Sequence, residues 1–546
     1  MIKLTEKIPD TIYLNGKVYT VNDNFEKVSA FAVKGNRFIA VGNDEEIKAL
    51  AGKDTKIVDL CKNTVLPGFI ESHLHVEDIG MALLEIDAHG LLLDEILSLV
   101  KKTHDECDPD GWIRGDGWHE SNWNSSKFPT KEDLDAVSPD KPVCLRRACG
   151  HASWVNTKAL ELAGINRNTK NPVGGEVLRD ENGDATGILT DAAQQFIYNV
   201  WPAHTEEECR KANLLAQEEF FKNGITTIHD AASTEAMIGR WEDMFKNDEL
   251  KVRIYGMYRV PGRPTAEDVK EKSDQFFKRG IKVGEFDNRL TVRAFKISSD
   301  GSLGARSAHM IDDYSDREGH KGNGKFTDEE LYSIIHNAAD HGFQVAIHAI
   351  GDACNKQALD TYEKVLKERP AYDHRFRIEH SQILRLEDIP RFAKLGVIPS
   401  VQPIAIGVDK TVALSRVGSE RIKGAYAWRK LIDSGSRVIP ISTDAPIDPI
   451  SPLLNICVAV TRMDKDNKPE GGWYKDMAMT RTEAVKGATI NGAIAGFEEK
   501  IKGSIEIGKL ADFVILDSDI MECPAEEIKY IKVLETVLGG ETVYKM

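Results

Sequence analysis

Two histidines, His73 and His75, close the segment LPGFIESHLH with one residue between them. Side chains alternate across a strand, so this spacing puts both imidazoles on one side of it. The pair reads either as half of a metal grip or as two polar residues ending a strand. Four further positions bear on the choice. Lys296 lies in AFKISSDGSLGARSA, His348 in VAIHAIGD, His380 in RIEHSQ and Asp444 in ISTDAP. Each alone has an ordinary reading: a satisfied histidine, a salt-bridged lysine, a loop cap. Together they recur at the C-terminal ends of strand-like runs, and that shared placement points to a metal site. Imidazole and carboxylate suit Zn(II), and also Fe, Mn or Co.

The elements that must position these groups are legible as a rhythm. GITTIHDAA, VRIYGMYRV, LTVRAFKIS, FQVAIHAIG, RFRIEHS, GVIPSVQP and RVIPISTDA read as strands, each followed by a helical or loop segment. A βαβα alternation implies a parallel sheet, and its length over residues 68–490 suits a (β/α)8 TIM barrel in the α/β class. Strand C-termini of such a barrel converge on one face, where residues distant in sequence meet. Residues 85–205 break the rhythm and are rich in Trp, Gly and Asp; they read as a large insertion after barrel strand 1, folding over the barrel mouth. Residues 1–67 and 491–546 both read as short strands with turns (TIYLNGKVYTV, GSIEIGKLADFVILD), and neither buries a core alone. Both ends are therefore expected to pair into one small β-sandwich domain.

Bulk properties narrow the function. The chain has 546 residues, 41% hydrophobic and 29% charged, as expected of a globular protein with a large core. A net charge of −16 argues against nucleic-acid or anionic-membrane partners and leaves a small-molecule substrate open. No signal-peptide core and no run of apolar residues long enough to span a membrane occurs. The eight cysteines are scattered without a CxxC, which fits reduced thiols and a cytoplasmic protein. The Gly-rich runs lack the Lys-Ser/Thr of a phosphate loop, which argues against nucleotide binding. Exposed edges of the terminal β-domain are available for pairing in a homo-oligomer.

The order His-x-His, Lys, His, His, Asp on this strand rhythm resembles the amidohydrolase superfamily, and most closely its N-substituted formamide deformylase-like branch, over nearly the whole chain. LPGFIESHLH, GDGWHESNW, GHASWVNTKALELAGI, GITTIHDAA, KISSDGSLGARSA, HAIGD, RIEHSQ, STDAP and GSIEIGKLADFVILD all carry the likeness. The resemblance implies that His73, His75 and Asp444 hold one metal and His348 and His380 a second. Lys296 would bridge the two as N6-carboxylysine; an unmodified Lys296 would imply a single metal. One or two divalent cations per chain, Zn(2+) foremost, are thus expected. Metal-activated hydroxide would attack a carbonyl, with Asp444 as the catalytic general base, hydrolysing a C–N bond of an N-acyl or N-formyl amine or a cyclic amide. Lactone or ester hydrolysis would use the same groups. Single-metal deaminases of the superfamily are similar but carry a Glu shortly after the third histidine, whereas His348 is followed by Ala-Ile-Gly-Asp. Outside enzymes, a scaffold that has lost catalysis is the competing reading, although all six positions are retained.

Weaker candidates remain. His151 is a substrate-facing candidate or a loop histidine. Trp118, His119 and Trp123 could line the pocket or simply pack. His229 ends a strand and could support the metals or belong to the core. Ser302 and Arg306 follow the lysine strand and could touch substrate.

Overall fold

A computed structural model of the chain describes residues 8–107, 111–120, 123, 128–148, 151–172, 174–261 and 265–546. Its central feature is a parallel sheet whose strands follow one another in space in chain order: β1 (Phe69–Leu74), β2 (Ile225–Ser233), β3 (Arg253–Tyr258), β4 (Leu290–Ser298), β5 (Gln344–Ala349), β6 (Arg377–His380) and β7 (Ile398–Ser400). Helices such as Glu235–Lys246, Ala266–Phe277, Asp328–Asp340 and Asp352–Lys367 form the crossovers. The helix Asp328–Asp340 shows why these boundaries fall where they do. Thr327 caps the Glu330 amide, Glu330 reaches back to Thr327, and Leu331, Ile334, Ile335 and Ala338 line the buried face at helical spacing.

The eighth barrel position differs from a strand. Residues 438–445 meet β7 through a single bridge, Val401 to Ile441. Pro440 has no N–H to give to a ladder, but its carbonyl accepts from the Val401 amide at 3.1 Å, and Ser442 N–H donates to Val401 O at 3.0 Å. On the other side, Asp444 N–H donates to His73 O at 3.1 Å and His75 N–H to Ala445 O at 2.9 Å. The barrel is closed by these bonds and by Glu71, whose buried carboxylate accepts from the Thr443 amide at 3.1 and 3.0 Å and from the Thr443 hydroxyl. The side-chain oxygens replace the ladder that the irregular segment cannot make.

Strands from both chain ends build two further sheets. One has the order Arg37–Gly42, Ala30–Lys34, Thr11–Leu14, Lys56–Asp59. The other combines Glu541–Lys545, Val533–Leu538 and Phe513–Leu516 with Thr64–Pro67, Lys17–Tyr19 and Lys27–Val28. Their shared core holds Tyr13, Phe31, Phe38, Val65, Phe513 and Val537. Phe513 meets Tyr13 and Phe31 edge-on at ring separations of 5.1 and 5.0 Å. These sheets and the barrel belong to one compact unit, residues 1–75 with 217–546; residues 76–216 form the other. The second unit carries a six-stranded sheet of its own, ordered Gly175–Arg179, Ala185–Asp191, Ala152–Val155, Val143–Arg147, Ile113–Trp118, Ile86–Asp87, with Trp118 and Trp154 in its core. Among the described residues seven cysteines are free, and Cys149 lies outside them. No helix among the described residues is long and apolar enough to cross a membrane.

Two stability outcomes follow from these contacts. Phe513→Ala removes a fully buried ring from the core shared by both termini and is expected to cost about 3–5 kcal/mol in urea unfolding. Burial pushes the Glu71 carboxyl up to about 8, against about 4.3 in an unfolded chain. A raised folded value stabilises below the unfolded value and loses that contribution as pH rises through the folded one. Metal-free protein should therefore lose stability between pH 5 and 8 through this group, and Glu71→Gln should flatten that fall in urea midpoints.

Candidate metal centre and cavity

Alternation along β1 sends Glu71 and His73 to the same side, and His75 continues that face just beyond the strand. The two bonds that sew this end to residues 444–445 place Asp444 beside both rings. Asp444 Oδ1 lies 3.4 Å from His73 Nε2 and 3.2 Å from His75 Nε2. It is buried and accepts no hydrogen bond of good geometry. Ligands at zinc distances of roughly 2.0–2.1 Å on a tetrahedron are about 3.3 Å apart. Both carboxylate–imidazole distances have that spacing, the three ligand atoms lie within 4.8 Å of one another, and their donor types fit a divalent cation.

Two more imidazoles complete the cluster. His380 follows Glu379 directly, so a regular strand would send the two to opposite sides. His380 instead adopts a φ of +74°, which turns its ring to 5.0 Å from His73 and 4.4 Å from His348. Three of the four rings have one nitrogen hydrogen-bonded, whereas His75 Nδ1 has no hydrogen-bond partner among the described residues. His73 Nδ1 donates to Glu379 Oε2 at 2.6 Å, and His380 Nδ1 donates to Gln402 Oε1 at 2.8 Å. His348 Nε2 sits 3.2 Å from Gly301 O and 3.3 Å from Asp300 Oδ1. The lone pairs left over are His73 Nε2, His380 Nε2 and His348 Nδ1. A partner on the far nitrogen fixes tautomer and orientation, as ligating histidines require.

Electrostatics set the charge state of these groups. Burial, then Lys296, hold the His73 imidazole well below its usual value, and burial and then His348 bring His380 down to about 3. Burial works against ionising Asp444, but His73 and His75 outweigh it and keep the carboxylate charged. Neutral imidazoles beside an ionised carboxylate form the protonation state a metal needs. Lys296, on β4, is 6% exposed, and among the described residues its ammonium has no hydrogen bond or ion pair. Burial brings it down to about 8. Burial would raise Glu379, but Arg377 and then Lys296 draw it below the usual carboxylate range.

His348, His380 and Asp444 line a cavity of about 380 Å³ with Ser302, Gln402, Tyr426, Trp428, Asp409 and Asp448. That volume suits a small molecule. Among the described residues, no lysine or arginine lines it. Of the other sequence candidates, Ser302 lines this cavity. Arg306 instead binds Asp316 through Nε and Nη2, both at 3.0 Å. His229 is fully buried and pairs with Arg377. Trp118 sits in the core of the 76–216 unit, its indole N–H on Leu145 O and its ring stacked on Trp123, so packing accounts for it. His119 is half-buried, with Nε2 at 2.9 Å from Arg147 Nη2, and His151 is exposed and binds Asp191. Sequence reasoning passed over Glu379, Arg377, Gln402, Asp300 and Glu71. Glu71 and Glu379 carried a signal: each is an acid written into a strand end beside the histidines.

Comparisons with known proteins bear on the fold and the family. The chain is 30% identical over 541 residues to the YtcJ protein of Bacillus subtilis (strain 168), covering 98% of this chain and 99% of that one. It is 28% identical over 553 residues to the N-substituted formamide deformylase of Arthrobacter pascens, covering 98% of each. The crystal structure of an uncharacterized metal-dependent hydrolase from Pyrococcus furiosus superposes with a TM-score of 0.77 at 28% identity, covering 94% of this chain and all of that one. Residues 56–544 match the Amidohydrolase family, and the chain belongs to it.

Proposed function

We propose that this amidohydrolase is a metal-dependent hydrolase of the C–N bond of an amide, with an N-acyl or N-formyl amine or a cyclic amide as substrate. One observation carries the reading. A charged, buried carboxylate oxygen without a hydrogen bond, Asp444 Oδ1, faces two imidazole nitrogens at the wall of a substrate-sized cavity. The formamide deformylase relative supports the amide class.

His73, His75 and Asp444 would hold one divalent cation, zinc by donor chemistry, and His348 and His380 a second. When bound, such cations lower the pKa of water and polarise a carbonyl. Lys296 suits a bridging role once it is a carbamate. With its pKa near 8, part of the side chain is a neutral amine at physiological pH. That amine attacks CO2, forms a C–N bond and releases one proton, giving an anion with two oxygen donors.

Asp444 is the general base. It would take a proton as the water oxygen adds to the carbonyl carbon, and return it to the amine nitrogen as the C–N bond breaks. The cavity wall carries Asp409 and Asp448. Asp409 Oδ2 accepts from Tyr426 Oη at 2.6 Å and Gln382 Nε2 at 3.0 Å. Among the described lining residues the charged side chains besides Asp444 are these two carboxylates, so cations held by the histidines and Asp444 would supply the positive charge facing a substrate. A deaminase reading lacks its proton donor. The acid after His348 is Asp352, which is 4% exposed and accepts from the Ile311 amide at 2.9 Å, away from the lining.

A hydrolysis screen of zinc-loaded protein over formamides, N-acyl amines, cyclic amides, lactones and aryl esters tests the class; turnover of esters alone would sink the amide reading. Asp444→Asn is expected to lower kcat by about 10²–10⁴-fold while the far-ultraviolet circular dichroism is unchanged. Lys296→Ala should reduce the zinc bound per chain, by elemental analysis, from near two to near one. In the wild type, labelled bicarbonate should yield a carbamate carbon signal that strengthens as pH rises through about 8, where the amine becomes neutral.

A further inference from the structure

His229 lies outside the cavity lining, on β2, with no solvent exposure. Its ring packs against Tyr255 at 4.8 Å. Arg377 Nη1 sits 3.0 Å from its Nδ1. A guanidinium can only donate, so Nδ1 must accept and the neutral ring carries its proton on Nε2. That Nε2–H is buried without a hydrogen-bond partner among the described residues, and nearby Glu498 Oε2 pairs with Lys502 Nζ at 2.6 Å. Both face the space beside Gly496: a Cβ there would lie 3.2 Å from Nε2 and 3.4 Å from Oε2.

The other end of the contact reaches the metal ligands. Arg377 is fully buried. Its Nε donates to Glu379 Oε1 at 2.7 Å, and its Nη2 donates to Glu379 Oε2 at 3.0 Å. Nη2 also lies 2.8 Å from Ser72 O and 3.1 Å from Ser400 Oγ. Glu379 Oε2 in turn holds His73 Nδ1 at 2.6 Å. All of these partners lie on β1, β6 and β7. His229 supplies the acceptor from β2 that satisfies Nη1. Without it, a buried N–H is orphaned at a cost that favours tilting the guanidinium toward another acceptor. The two bonds to Glu379 would move with it.

We propose that His229 is a positioning residue for the metal centre: its Nδ1 lone pair anchors Arg377, which holds Glu379 so that His73 keeps its proton on Nδ1 and its Nε2 lone pair toward the cation. This rests on the metal reading above. It adds a contact on β2, a strand that contributes no ligand.

The test uses full-length protein stripped of metal and titrated with zinc against a chromophoric chelator. It compares wild type with His229→Leu, His229→Asn and His229→Gln. Asn places an oxygen where Nδ1 stood, whereas Gln reaches to the Nε2 position. Leu and Gln are expected to weaken zinc binding about 10–100-fold, with Asn within about threefold of wild type. The downfield Nδ1–H proton of His73 in metal-free protein should persist in wild type and Asn and be lost in Gln. If Leu fails to fold, the Asn–Gln pair decides. A folded Gln variant with wild-type affinity and an intact His73 proton overturns the proposal, as does an Asn variant as weak as Gln. A wild type that takes up no zinc yet shows the expected proton pattern overturns the metal reading and leaves the anchoring of His73 standing.

Discussion

The site depends on two backbone hydrogen bonds, Asp444 N–H to His73 O and His75 N–H to Ala445 O. They join residues more than three hundred and fifty positions apart. They also complete the barrel at the one place where its sheet lacks a regular strand. A regular eighth strand would pair along its length and alternate its side chains strictly. The irregular segment pairs only at points, with Asp444 at φ +60°. Its carboxylate is thereby turned to the imidazoles of β1. Closure of the barrel and assembly of the ligand trio are one event, so whatever loosens the seam also spreads the ligands.

Around that seam the barrel interior is polar to an unusual degree. Glu71, Arg377, Glu379, Lys296 and His229 are all buried. Isolated charges in such a place cost several kcal/mol each. Here the charged ones are mostly matched, Arg377 with Glu379 and Glu379 with His73, while Glu71, its pKa raised to about 8, is held by the Thr443 amide and hydroxyl. Lys296 is the exception, without a hydrogen bond or ion pair among the described residues. Its depressed pKa is what an amine unsupported by a contact carboxylate should show. The same low-dielectric setting that makes these groups costly also fixes their rotamers. A metal site needs that rigidity more than it needs added stability.

Family membership and the site answer different questions. The Amidohydrolase match extends over most of the chain and speaks for the fold and the hydrolytic class. The cavity wall, where Tyr426, Trp428, Asp409 and Asp448 come from loops and short helices after β7, lies outside what that match speaks for. Loops of this kind vary while a barrel persists.

The sequence by itself determined the periodic parts. The β-branched runs from Ile225 to Ser400 became parallel strands in order, because a βαβ rhythm admits few other topologies. The period-two spacing of His73 and His75 put their rings on one face, because alternation is a local property of extended backbone. Tertiary structure alone decided the rest. RVIPISTDA reads as a strand, yet its pairing is shared among Val401, His73, Glu71 and Gly487 rather than laid out as a ladder. His380 and Glu379, neighbours that alternation would separate, both reach His73 through one positive φ. Arg377, Gln402 and Asp300 orient histidines encoded elsewhere in the chain, and no local pattern marks them. Hydrogen bonds between distant segments have no spacing in the sequence, since only closure of the sheet on itself brings their donors and acceptors within reach.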